Sequence, residues 1–318
     1  MENRLAGGWT MLVCNPISGS GLGRARLAAV QRSLDRAGIA FAGELTEGPG
    51  HALRLARAAV MAGCGVVVAI GGDGTFNEVV NGVLGPGAGG LEGIGAGRGV
   101  AVGLVQAGRG SDFGRSAGIP SDLDAACARL VSGRTQVIDL GHVSYRSFKG
   151  EERSRYFANS AGLGFDAEVA LRSNAAPRVL GGTIPYLSSL LLTLGTYRNK
   201  RIALRAGSDP EWRGRVNSVV VANGQYFGGG MKIAPEALLA DGQLDVVVLG
   251  DLGKVELMLN VPKVYDGSHL THPKVRTLRA SRIEARSPDR VLLQADGEVL
   301  GLAPATFTVV PSALRVIV

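Results

Sequence analysis

The chain has 318 residues, 46% of them apolar, and 34 Lys and Arg stand against 27 Asp and Glu to give a net charge of +7 and a pI near 9.6. That length and apolar content suit two folded domains, each with its own core, and argue against disorder. The basic balance favours anionic partners such as nucleotides and lipid headgroups. Dispersed positive charge and 5% aromatic content make nucleic-acid binding the weakest reading.

From the N-terminus, residues 11–14 read as a strand, far too short for a secretory apolar region. Residues 22–37 read as a helix with Leu27, Val30 and Leu34 inward and Gly38 as its stop, followed by a strand over 39–44. A helix over 51–62, stopped by Gly63, leads into a fully buried strand over 66–70. Gly71, Gly72, Asp73, Gly74, Thr75, Phe76, Asn77 and Glu78 come next, a glycine turn that opens a helix over 76–83. Thr75 and Glu78 have capping-box spacing, which assigns Glu78 to the start of its own helix. A strand over 100–105 and a helix over 121–132, capped by Ser121 and closed by Gly133, complete the first half. This alternation predicts an α/β domain with a parallel sheet, whose ligands bind beyond the carboxyl ends of the strands. Nine glycines within residues 82–99 mark an insertion, read as a surface loop, with a lid over a nucleotide as the competing reading.

After residue 135 the texture changes to short strands, at 136–143, 155–160, 201–206, 216–222, 244–249, 275–284 and 290–294. Two helices interrupt them, near 185–194 and 254–265. Strands at 307–310 and 314–318 close the chain. The expected domains are therefore 1–135, with 304–318 returning to it, and a β-rich, sandwich-like domain over 136–303. No stretch reaches the roughly 18–20 apolar residues of a membrane span. Leu187, Leu190, Leu191, Leu194 and Tyr197 form a helical stripe expected to face the core. The competing reading, with Arg198, Lys200 and Arg201 alongside, is a helix docked on an anionic bilayer.

Three loops carry the chemistry. A strand, a glycine turn and a helix present backbone N–H groups to a phosphate, so phosphate binding is the leading reading of Gly71 to Glu78, over a plain tight turn. Asn15, Pro16, Ile17, Ser18, Gly19, Ser20 and Gly21 form a second such turn after the first strand. Gly108, Arg109, Gly110, Ser111, Asp112 and Phe113 form a third, with Arg109 suited to a phosphate. In the second half, Asp241-Gly242 and Asp296-Gly297 stand at strand ends, either as plain hairpin turns or as carboxylates facing the phosphate loops. Cys14, Cys64 and Cys127 are odd in number and widely spaced, so neither disulfides nor zinc are indicated, and a reducing cytosol is the expected setting. His51, His142, His269 and His272 make no metal set and are expected at the surface or in loops.

These motifs together resemble the bacterial lipid kinases related to diacylglycerol kinase and sphingosine kinase catalytic domains. The resemblance covers nearly the whole chain and includes residues 159–166 and 223–231. It implies an ATP-dependent, Mg2+-requiring kinase that phosphorylates a lipid hydroxyl, with diacylglycerol as the leading acceptor and phosphatidic acid as product. By that resemblance Asp296 is the general base, and Asp73 and Asp112 belong to the network around the ATP phosphates. Asn15, Pro16, Ser18, Gly19, Thr46, Gly71, Gly72, Gly74, Thr75, Asn77, Glu78 and Arg109 hold the nucleotide. Asp241, with the carbonyls of Leu238 and Gln243, holds a metal. The resemblance also implies a cytosolic protein visiting the inner membrane face, and allows a homodimer. The chain departs from the family pattern twice: no lysine follows the first loop's glycine, where Ser20, Leu22 and Arg24 stand, and in the third loop Arg109 replaces the usual threonine and Ser111 the usual asparagine. A soluble NAD kinase-like enzyme and a non-catalytic nucleotide- or lipid-binding regulator are the competing functions.

Overall fold

Strands form in the first half where the apolar runs are buried on both faces, as parallel sheets require. The computed structural model describes residues 8–85, 99–108, 110–175 and 183–318, and the side chains of Ser20 and of 183–188 are not among those described. The chain divides into two compact units, Met1–Asp139 with Pro311–Val318, and Leu140–Val310.

The first unit runs β1 (Thr10–Cys14), α1 (Leu22–Arg36), β2 (Phe41–Leu45), α2 (His51–Met61), β3 (Val66–Gly71), α3 (Asp73–Leu84), β4 (Ala101–Gln106), α4 (Asp112–Ser116) and α5 (Leu123–Ser132). Every residue of β1, β3 and β4 is buried, whereas β2 lies at the edge and is largely exposed. The strands pair in parallel in the order β2-β1-β3-β4, and Arg315 and Val316 near the C-terminus add a parallel neighbour to β4. Leu12, Val68, Ile70 and Val105 pack with Val30 and Leu34 of α1 and Leu130 of α5. Each such buried aliphatic contributes about 1.5–3 kcal/mol.

Two helix starts differ from the sequence expectation. α3 begins at Asp73, with Gly72 as N-cap, so the Asp-Gly-Thr segment is already its first turn. Glu78 does not cap its own helix. Its Oε1 accepts the Gly50 amide at 2.7 Å and its Oε2 those of Ala52 and Leu53 at 3.0 and 3.4 Å, capping α2 instead. The reason is packing: α2 and α3 lie together, and the N-terminal amides of α2 have no partner within their own helix. Similarly, α5 is capped by Asp122, whose Oδ1 accepts the Ala125 amide at 2.8 Å, and not by Ser121.

The second unit is mainly antiparallel. After β5 (Thr135–Arg146) come β6 (Glu152–Phe157), β7 (Ser160–Gly164), α6 (Phe165–Ala175), α7 (Thr183–Thr196), β8 (Lys200–Ala206), β9 (Trp212–Val216), β10 (Ser218–Ala222) and β11 (Leu244–Leu249). They are followed by α8 (Lys254–Asp266), β12 (Val275–Ala280), β13 (Arg282–Arg286), β14 (Leu292–Ala295) and β15 (Glu298–Ile317). The pairing order β12-β11-β10-β7-β14-β15 is extended by β13, which pairs with β15 and β8, and by β8 with β9. Phe157 and Phe307 meet edge-on, 6.5 Å between centroids, in a core with Leu163, Val219, Val246 and Leu293.

Some expected strands divide or merge. Residues 275–284 split into β12 and β13, while 307–310 and 314–318 belong to one long β15. Helix α6 has no counterpart in the sequence expectation, because Phe165, Ala167 and Val169 alternate with Asp166 and Glu168 at strand period. On α7, Leu190 is buried and Leu194 packs inward, but Leu191 is 51% exposed and leaves the expected core stripe. The side chain of Leu187 and most of the glycine-rich insertion, residues 86–98, are not among those described.

Replacing Glu78 by Ala should lower unfolding free energy by about 2 kcal/mol, because three amides of α2 lose a charged acceptor. Urea unfolding of the purified variant checks this.

Candidate active site

The sheet of the first unit sets where its three loops meet. β1, β3 and β4 are adjacent, parallel and in register, so they end at one level. Beyond the strands the ladder continues: the Asn15 amide donates to the Ile70 carbonyl at 2.9 Å, Ala107 to Gly71 at 2.8 Å and Thr46 to Cys14 at 2.8 Å.

At two points only glycine lets the loops approach so closely. A Cβ on Gly19, whose φ is +59°, would stand 1.8 Å from the Ala107 carbonyl oxygen, and one on Gly108 would stand 2.8 Å from Gly72 Cα. The Asn15 side chain bridges to Thr75 Oγ1 at 3.4 Å, accepts the Ile17 amide at 3.2 Å, and its carbonyl receives the Ser18 hydroxyl at 2.8 Å. Pro16 forms the turn between them.

Asp73 ties the second loop to the third. Its Oδ1 accepts the Phe113 amide at 3.0 Å and its Oδ2 the Asp112 amide at 3.2 Å, so one residue opens α3 and caps α4. Phe76 and Phe113 stack beneath, 4.2 Å between centroids. Asp112 is buried and pairs with Arg115 at 3.3 Å. Asn77 is fully buried and receives the Asn81 side-chain amide on its carbonyl at 2.9 Å, so it braces α3. Gly74 faces open space, with nothing within 4 Å of where a Cβ would stand, and the first-turn amides of α3 lie at this sheet end. This first turn suits an anion. Burial pushes the Cys14 thiol up to about 11, with Arg24 opposing, so it is no nucleophile. Arg109 lies outside the described residues.

In the second unit, Asp296 and Gly297 are the two central residues of the β14–β15 hairpin, with φ of +46° and +83°. Positive φ at both positions is the tight hairpin geometry that Asp-Gly favours, so the plain-turn reading of this pair holds. The carboxylate does more: Oδ2 accepts the Ala158 amide at 2.8 Å, and Oδ1 those of Asn159 and Ser160 at 3.0 and 3.1 Å. Asn223 Nδ2 donates to the Ala158 carbonyl at 2.9 Å, and the Asn223 and Gly224 amides to that of Asn159.

One half-buried carboxylate, within the 159–166 stretch, was not singled out by the sequence. Asp166 accepts the Ser218 hydroxyl and, at 2.9 Å, Gln294 Nε2, while Gln294 Oε1 accepts the Gly297 amide at 2.9 Å. Burial raises its pKa, against the two side-chain donors. The available signal was Gly162: a Cβ there would lie 1.7 Å from Asp166 Oδ2. His269 corrects the surface expectation, being buried with Nε2 at 3.0 Å from the Ile233 carbonyl, and burial lowers its pKa.

Asp241, expected by resemblance to hold a metal, carries an ion pair and a backbone hydrogen bond. Asp241 Oδ1 accepts the Gln243 amide at 3.1 Å, and Oδ2 pairs with the Arg279 guanidinium, which also reaches Asp245 at 3.3 Å. A guanidinium already supplies the positive charge. Leu238 is exposed, and among the described residues no three His, Cys, Asp or Glu side chains gather as a metal cluster.

Residues 10–143 match the family described as the diacylglycerol kinase catalytic domain, and 159–318 the YegS C-terminal NAD kinase beta sandwich-like domain. A diacylglycerol kinase of Mycobacterium tuberculosis is 30% identical over 306 residues, covering 95% of this chain and 93% of its own. One from Bacillus subtilis (strain 168) is 27% identical over 297 residues, covering 93% and 91%. The crystal structure of a diacylglycerol kinase from Bacillus anthracis str. Sterne shares the fold, with a TM-score of 0.69 at 17% identity and coverage of 98% and 96%.

Asp73→Asn should weaken phosphate-ligand binding and cost about 1–3 kcal/mol of stability, since an amide cannot accept both α4 amides. Nucleotide titration and thermal unfolding check both effects. Arg279→Met should cost about 1 kcal/mol, whereas a chelator should leave the wild-type thermal midpoint unchanged. A chelator-induced drop reversed by Mg2+ would return the 238–243 loop to a metal.

Proposed function

Since the chain belongs to the diacylglycerol kinase family and is a lipid kinase, we propose that it transfers the terminal phosphoryl group of ATP to the free hydroxyl of diacylglycerol, giving phosphatidic acid and ADP. The observation that carries the nucleotide part is the meeting of three loops at adjacent parallel strand ends, the second and third joined through Asp73 and the first and second through Asn15 and Thr75. The relatives' names, diacylglycerol kinase, support the acceptor.

In this reading the amides of the first α3 turn and the Asn15–Gly21 loop face the ATP phosphates, where fixed dipoles stabilise charge without reorganising. Asp73 acts as a positioning residue, holding the third loop against the second. Mg2+ bound with ATP neutralises phosphate charge. Asp296 takes the proton of the lipid hydroxyl as the oxygen bonds to the γ-phosphorus and the bond to the β-phosphate oxygen breaks. Its three backbone donors support that role by fixing the position of the carboxylate.

A panel of lipid hydroxyls and NAD with labelled ATP and Mg2+, read by product mass, should yield phosphatidic acid. Phosphorylation of NAD without diacylglycerol would replace the acceptor. Asp296→Asn should lower kcat by about 10²–10⁴-fold with ATP binding kept. Wild-type turnover in that variant would remove Asp296 as base.

A further inference from the structure

The exposed apolar side chains are concentrated. Seven of the thirteen large ones among the described residues sit on α6, α7 and α8. On α8, Val255, Met258, Leu259, Pro262 and Tyr265 recur at i, i+3, i+4, i+7 and i+10, one helical stripe, and all five face outward. Val255 is 67% and Leu259 66% exposed. The opposite face of α8 is separately apolar: Leu257 and Val261 pack with Leu190 and Leu252. A surface helix of a soluble protein turns one apolar stripe inward and a polar face outward, so this second stripe has no role in the core.

The stripe continues onto a neighbour. α7 contacts α8, Lys254 Nζ donates to the Gly195 carbonyl, and Leu191 and Leu192 lie one turn before it, 51% and 62% exposed.

The charge around this face is net basic. Lys254 and Lys263 flank the α8 stripe, Arg172 of α6 reaches Thr196 Oγ1 at 3.0 Å at the end of α7, and one carboxylate, Asp266 at the end of α8, turns to the Ser268 amide and hydroxyl. Glu256 is already neutralised, pairing with Lys274 at 2.7 Å and His272 at 3.3 Å. A two-fold pairing of this face with a second copy would set one basic rim against another. An anionic bilayer offers both complements, negative headgroups for the rim and acyl chains for the stripe.

We infer that the outward face of α8, with Leu191 and Leu192 of α7, lies on the surface of an anionic bilayer while the enzyme works. The choice of occupant rests on the lipid-acceptor reading above. The helix lies in the interface and does not cross, since no described helix is long and apolar enough to span a membrane.

The test compares wild type with Met258→Asp/Leu259→Asp in sedimentation with vesicles of phosphatidylcholine and phosphatidylglycerol, or of phosphatidylcholine alone. The double variant should bind mixed vesicles at least about tenfold more weakly, yet turn over a dispersed short-chain diacylglycerol like wild type. Lys263→Glu, a surface change that leaves the stripe intact, should weaken binding only to the mixed vesicles and flatten its salt dependence. Wild-type vesicle binding by the double variant overturns the inference. So does a wild-type dimer that the double substitution makes monomeric with vesicle binding retained. If neither protein phosphorylates short-chain diacylglycerol while vesicle binding still responds to the substitutions, the docking face stands and the acceptor reading fails.

Discussion

Two backbone amides held by one carboxylate organise the first unit of this kinase. Asp73 sits where β3 gives way to α3, and by accepting the amides of Asp112 and Phe113 it fixes the start of α4 against the start of α3. This is possible only because β3 and β4 run parallel and end in register. Glycines 19 and 108 then remove the side chains that would hold the loops apart. The result is a surface of backbone N–H groups rather than of charged side chains. Such a surface favours phosphate through geometry and dipoles, and it tolerates the missing first-loop lysine better than a site built on a single cation would.

The same device recurs. Glu78 holds the start of α2, and Asp296 holds residues 158–160 through three amides. Asp241 is the exception, satisfied by a guanidinium as well as by an amide. An acidic residue in a short glycine motif therefore has a structural task before it has a chemical one. Substitutions at these positions affect the loop and the reaction together, so catalytic assignments need a measurement that separates them. Asp166 extends the pattern: it is linked through the buried Gln294 to the hairpin that carries Asp296, so the turn is anchored to a second carboxylate.

Helices α6 to α8 follow a different constraint. Their inward faces close over Phe165, Val169, Leu252 and Leu257, and Tyr197 contributes its hydroxyl to the Asn217 carbonyl at 3.0 Å. That packing accounts for one face of α8 and leaves the other apolar and exposed. Leaving that much aliphatic surface in water is unfavourable by tens of calories per square ångström, so the face is better explained by a partner than by stability.

The sequence alone determined the elements whose signals are local. Buried apolar runs marked β1, β3 and β4, glycine stops ended α1 and α5, and the order of strand, glycine loop and helix located the three loops at the strand ends, because period and turn chemistry act within a few residues. What each acidic residue holds was decided only by tertiary structure. Thr75 and Glu78 have capping-box spacing, yet Glu78 caps α2, a helix more than twenty residues away. The Asp241 carboxylate meets Arg279 from a neighbouring strand, which its Asp-Gly turn did not announce, and α6 was hidden by an accidental strand period. Hydrogen bonds between elements distant in sequence depend on which backbone ends the sheet brings together, and no local pattern encodes that.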